Sequence, residues 1–434
     1  MKIRATPIPV VMLILALASI PFVLGSASAQ NAQKLSVNAA DYPTLGNPTS
    51  AVETPDGRYV FVSVTNVGGP NFTGPDSTGA RKGVVSGVQI FHDAEGTLTS
   101  AGFIRLGSSG ANGLALLPGG KTLVVGAGDD GVAFLDVQDA IHGTAKPVFA
   151  AQGAGAGTFD VVATPDGRYV FSANEYGVVA QQRGNVGVIA VEPDANGRVT
   201  QPVTLEQIPL GDVVPSLTLS RDGTRLYVAT ELVPAKSALQ IAGTGNPALS
   251  KNDCVQAKGS PTMPNGLITV IDVLRAETSE YAGQDAVLSR TAAGCSPVRL
   301  IEASDASAIF VSARGDDAVL QFNPALLESD PDHAFLRSIP AGGDSAVGLL
   351  LFDHDRLLAV ANSNRFANSA GSLTLLNVAK PAEPSLLQTL PTGTFPRNLS
   401  LASDGRSFYL TNYTSRSLER VIVAPAPITV ASRN

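Results

Sequence analysis

The chain has 434 residues, a formal net charge of −7, two cysteines, no tryptophan and four histidines. An acidic chain without a basic cluster repels phosphate backbones and anionic membrane surfaces, which argues against nucleic acid as a partner. His92, His142, His333 and His354 are scattered without ligand spacing, so no metal site is expected.

At the N-terminus Lys2 and Arg4 precede an apolar run over residues 8–24, followed by Ser26-Ala27-Ser28-Ala29. This is the pattern of a secretory signal peptide over 1–29 with cleavage after Ala29, and it predicts a periplasmic or secreted protein. Ser19 and Pro21 interrupt a run already short for a bilayer span, so no membrane association is expected after cleavage. Losing Lys2 and Arg4 takes the formal charge from −7 to −9. Residues 30–434 are read as one domain.

The segment TPDGRYVF occupies residues 54–61 and returns letter for letter at 164–171. Worn copies follow the same grammar: LLPGGKTLVV at 116–125, LSRDGTRLYV at 219–228, ASDASAIFV at 303–311, FDHDRLLAV at 352–360 and LASDGRSFYL at 401–410. Each reads as an apolar strand, a tight turn and an alternating β-branched or aromatic strand, and Asp-Gly suits such a turn because glycine tolerates positive φ. A third apolar strand recurs after every copy, beginning near Gly87, Gly131, Asn185, Gly266, Asp317, Gly371 and Ser417. A fourth β-compatible stretch precedes the next copy, as in LTSAGFIRL at 98–106. Seven repeats of four antiparallel strands predict an all-β, seven-bladed β-propeller, with similarity to WD40-like repeats in its grammar.

The spacing locates an insertion. The widest gap between turns, 83 residues from Asp222 to Asp305, puts extra chain in the fourth unit at about 234–264, rich in Gly, Pro and Ser. Cys254 lies in it and Cys295 opens the fifth unit, so in an exported chain a Cys254–Cys295 disulfide would pin the loop to the ring. Helix is expected only in short turns at Val137–Ile141 and Pro324–Ser329. The seventh unit has three strands of its own, and a terminus must add the fourth. Residues 35–37 are favoured over 428–430, because joining the two ends removes an exposed edge.

YVFVSVTN (59–66), YVFSANEYG (169–177), LAVANSN (358–364) and FYLTNYTS (408–415) resemble the Tyr-Val-Thr-Asn (YVTN) repeat family of bacterial propellers. The lactonase-like seven-bladed group, which includes 6-phosphogluconolactonases and fungal muconate-lactonizing enzymes, is similar. That resemblance implies the propeller fold over about residues 45–423, and for lactonase-like members a channel-mouth site with His, Arg and Glu. The chain departs from this pattern: SGANGLALLPGG at 109–120 stands where the family's His-containing segment is expected.

In a propeller with Asp-Gly turns on one face, the loops after each second strand and the lead-in to each first strand open on the other, and binding residues gather on such loops. Those positions hold Asn66, Asp129, Glu175, Tyr176, Glu231, Arg314, Asn364, Arg365, Asn412 and Tyr413, with Asn112, Asp160, Arg299 and Arg397 on the lead-ins. Arg299, Arg314, Arg365 and Arg397 could clamp a carboxylate while Glu175 or Glu231 moves a proton, and the Asn and Tyr side chains line the surface. The same residues paired across adjacent blades would be scaffold only. Nucleophile elbow, P-loop and dinucleotide fingerprints are absent, and no cofactor is expected. The readings in play are a binding scaffold for a protein or small anionic ligand, a metal-independent lactonase-like hydrolase or cycloisomerase, and an accessory propeller for a redox partner.

Overall fold

The turns explain the repeated word. In the first copy the Thr54 hydroxyl donates to Asp56 Oδ1 at 2.6 Å, the Arg58 backbone N–H donates to the same oxygen at 3.2 Å, and Gly57 sits at φ 72°. The second copy repeats this with Thr164 to Asp166 at 2.7 Å, Arg168 N–H at 3.0 Å and Gly167 at φ 70°. A carboxylate that accepts from both sides of the bend holds it without help from the rest of the fold.

The computed structural model describes residues 35–69, 85–107, 110–153, 156–175, 184–211, 213–232, 240–250, 254–255, 262–263, 265–278, 283–365, 369–380 and 382–425. The residues read as a signal peptide, and much of the fourth-unit insertion, lie outside them. The described strands form seven four-stranded antiparallel sheets, the blades of an all-β propeller, and one two-stranded sheet. Blade one is Asn47–Glu53, Tyr59–Val67, Val85–Ala94 and Thr97–Gly107. The first strands of blades two to seven are Leu114–Leu116, Thr158–Ala163, Ser216–Leu219, Pro297–Glu302, Ala346–Phe352 and Pro396–Leu401. Each first strand touches those of its two neighbours and blade seven's touches blade one's, so these seven strands form the inner ring. Blade seven is completed from the N-terminal side: Leu35–Pro43 pairs antiparallel with Ser417–Pro425.

The core lies between blades. Val60, Val62 and Val64 of blade one interlock with Ala402, Tyr409 and Leu418 of blade seven. Each such buried aliphatic side chain contributes about 1.5–3 kcal/mol. A polar stitch crosses the same seam: Tyr409 Oη donates to Glu53 at 2.7 Å, Glu53 accepts the Ser403 N–H at 2.5 Å, and Arg420 pairs with Asp93 at 2.7 Å.

Helices form at Val137–Ile141, capped by Asp136, and at Pro324–Ser329, capped by Asn323 with proline in the first turn. A third, Val273–Glu277, was not read from the sequence, although Asp272 caps it through the Arg275 N–H in the same way. In the fourth-unit insertion Cys254–Val255 pairs with Thr262–Met263, and Cys254 is disulfide-bonded to Cys295 across a sequence separation of 41.

Candidate functional site

In blades three to seven one residue ahead of the first strand adopts the left-handed conformation: Gly157, Val213, Ser296, Ser345 and Phe395, at φ 59°, 60°, 51°, 58° and 57°. Its carbonyl accepts the backbone N–H of the residue that ends or follows the second strand, namely Glu175, Glu231, Arg314, Ser363 and Tyr413, at 2.8–3.1 Å. Glycine enters this conformation freely, whereas a β-branched or bulky side chain there costs about 1–2 kcal/mol. The five bonds set five side chains at equivalent positions on one end of the ring.

β-Bulges re-aim the start of several first strands. Pairing skips a residue between Thr158 and Asp160 and between Pro297 and Arg299, and skips two between Pro396 and Leu399. The extra residues include Phe159 and Arg397, and bulges turn side chains in this way where a strand meets a binding surface. The Arg397 guanidinium lies 5.0 Å from the Phe159 ring centre. Blades three and seven are not neighbours, so this contact crosses the channel axis.

Around that contact the four predicted arginines meet. Arg397 also stacks on Tyr413 at 4.9 Å and on Phe395 at 5.5 Å, Arg299 lies 5.5 Å from Phe159, and Arg365 lies 5.9 Å from Phe395. Phe395 and Tyr413 pack edge to face at 5.4 Å. Arg314 of blade five forms a buried ion pair with Glu231 of blade four at 2.8 Å. Arg299 donates to the Pro215 carbonyl at 2.8 Å. Burial, then the charges of neighbouring Arg314 and Arg397, pushes Arg365 down to about 10, against the opposing pull of Glu231 and Glu175. Burial likewise lowers Arg397, with Arg299 and Arg314 adding to the effect while Tyr413 and Glu175 oppose it. Asp160 is raised by burial, opposed by Arg299, the Ser216 hydroxyl and the N–H groups of Val161 and Leu217.

Other predicted residues do not join the cluster. Asn412 is fully buried and donates to Glu419 at 2.9 Å inside blade seven. Asn364, at φ 46°, donates to the Ala370 carbonyl at 2.7 Å and so caps its own loop. Asn66 lies near the end of the second strand of blade one, where pairing with the third strand shifts register, at φ 56°. Asn112 bridges blades two and three by donating to the Thr158 carbonyl at 3.1 Å, and Asp129 does so by accepting the Gly157 N–H at 3.1 Å. Tyr176 lies outside the described residues. Arg314-Gly315-Asp316 is a 3-10 turn whose arginine is 5% exposed. The disulfide backs this turn: the Gly315 N–H donates to the Cys295 carbonyl at 2.9 Å, and a Cβ at Gly315 would stand 2.8 Å from that of Cys295.

Sequence reasoning missed Phe159 and Phe395. Both end a Gly-Thr-Phe triplet, at 157–159 and 393–395, where blades three and seven begin, and that repetition was the available signal. On the opposite, turn-bearing face, clefts of about 240 and 410 Å3 lie beside Asp56 and Asp166, remote from the arginines.

No family model matches the chain, and no curated protein matches it. Among solved structures, a chain of "Crystal Structure of Mitotic Checkpoint Complex" is similar at 12% identity and TM-score 0.57, over 93% of this chain and 98% of that one. The Myceliophteria thermophila Cps50 (Swd1) beta-propeller domain is similar at 12% identity and TM-score 0.56, over 90% of this chain and 100% of that one. At such identity the likeness concerns the fold alone, a β-propeller.

Proposed function

We propose that the chain is an exported propeller of the YVTN type that acts as a binding module and receives an anionic group at its channel mouth. The observation that carries this reading is the meeting of Arg299, Arg314, Arg365 and Arg397, from blades five, six and seven, around rings contributed by blades three and seven. Guanidiniums gathered in a partly desolvated mouth favour an incoming anion, and aromatic faces hold them in place. The N-terminal charge and apolar pattern and the Cys254–Cys295 bond support export. A role in assembly is in keeping with the fold neighbours, one of which belongs to a complex by its description.

A lactonase-like activity asks for a carboxylate able to move a proton. Glu231 is committed to Arg314, and this favours binding over catalysis at that position.

The test is a thermal-shift screen of the mature protein against sugar acids, dicarboxylates, aromatic carboxylates and lactones, repeated with Arg314→Ala and Arg365→Ala. A ligand at a hundred times its Kd adds about 2.7 kcal/mol. For about 400 residues that raises Tm by about 3 °C. The expected result is such a shift with an acid, lost in both variants; no shift with any anion refutes the reading. Sequencing the N-terminus of the exported protein tests cleavage after Ala29.

A further inference from the structure

The four arginines of the mouth are not equivalent. Arg314 is committed to Glu231, and Arg299 to the Pro215 carbonyl. Arg397 is 8% exposed and is held by the faces of Phe159, Phe395 and Tyr413, yet among the described residues no carboxylate, carbonyl or hydroxyl oxygen accepts from its guanidinium. A largely buried guanidinium without a protein acceptor is costly, because its N–H donors are mostly shielded from water and ring faces satisfy none of them in the guanidinium plane.

The backbone at Phe395 points the same way. The left-handed position it fills is served in blade three by Gly157, so the turn does not need a phenyl ring. The ring lies beneath the Arg397 guanidinium, packs edge to face with Tyr413 and sits near Arg365, which gives this strained residue a role at the mouth. Glu175 and Glu231 act on the same cluster, and their charge disfavours a polyanion.

Resting on the binding-module reading above, we infer that Arg397 is the anchor for a single planar carboxylate borne on an aromatic or similarly flat apolar body. The carboxylate lies in the plane of the guanidinium fork, and the body packs against the rings of Phe395 and Tyr413. A fork and a carboxylate share a plane and two parallel hydrogen bonds, a geometry that a tetrahedral phosphate matches less well between stacked rings.

Isothermal titration calorimetry on the mature protein with 2-naphthoate, its neutral amide and inorganic phosphate tests this. The expected result is saturable naphthoate binding, no competition from the amide, and a loss of at least about tenfold in Arg397→Met and in Arg397→Lys, which keeps the charge and loses the fork. Circular dichroism confirms that each variant is folded. If phosphate binds more tightly than naphthoate and depends on Arg397, the carboxylate assignment is overturned while the anion mouth stands. If naphthoate binding survives both substitutions, Arg397 is not the anchor. If no anion binds, both readings fall.

Discussion

Replacing Arg397 by methionine is expected to stabilise the unliganded protein. The arginine gains cation–π contact with three rings at 4.9–5.5 Å, about 0.5–1 kcal/mol each and up to about 2 where desolvated. Against this stand the several kcal/mol lost on burying a guanidinium without an acceptor and its repulsion from Arg299 and Arg314. A methionine of similar reach keeps contact with the rings and carries no charge, and comparable replacements of buried ions are neutral or stabilising by about 1–4 kcal/mol. With an unfolding entropy of about 2.1 cal/mol/K per residue over about 400 residues, that is a rise of about 1–5 °C in Tm. Differential scanning calorimetry of wild type and Arg397→Met, without ligand, measures it. A fall of more than about 2 °C would show that Arg397 is a structural stud of the ring and would refute the reasoning.

The opposite sign is expected at the neighbouring pair: Glu231→Gln leaves Arg314 buried beside a neutral amide and should cost about 3–5 kcal/mol, read as a lowered denaturation midpoint. Removing the disulfide with Cys254→Ser and Cys295→Ser should cost about 4 kcal/mol for a closed loop of this length, seen as a lower Tm that matches wild type under reductant. The turn carboxylates give a pH signature. The hydroxyls of Thr54 and Thr164 lead the interactions that lower Asp56 and Asp166 to about 2. Their stabilisation is therefore present above the unfolded value of about 3.9 and is lost as pH falls through about 2. A double Asp56→Ala, Asp166→Ala variant should lose a degree or so in Tm at pH 7, with the gap closing below pH 3, and a gap independent of pH would contradict this.

The repeat was legible because its turns are local chemistry: Thr54 with Asp56, or Ser220 with Asp222, closes a bend within a few residues, and strand alternation does the rest. The short helices after third strands were legible at Val137–Ile141 and Pro324–Ser329, whereas Val273–Glu277 was overlooked although Asp272 ends a strand and caps the helix just as Asp136 does. The site was only partly legible. Loop position brought the four arginines, Glu175, Glu231 and Tyr413 to one end of the ring, but Asn364 and Asn412 turned to backbone and blade interior. Phe159 and Arg397 owe their meeting to bulges, whose register shift depends on pairing between strands rather than on any one segment. The left-handed turn at Phe395 breaks local preference, so no propensity argument finds it.

The strand that closes blade seven imposes an order on synthesis. Leu35–Pro43 is made before any blade, yet its partner Ser417–Pro425 is made after nearly all the others. Until that partner emerges, the first segment has no sheet to join. Once it emerges, the ring's last edge stays open to any passing strand until the two ends meet. The seam between first and last is therefore the step at which assembly is most exposed to error.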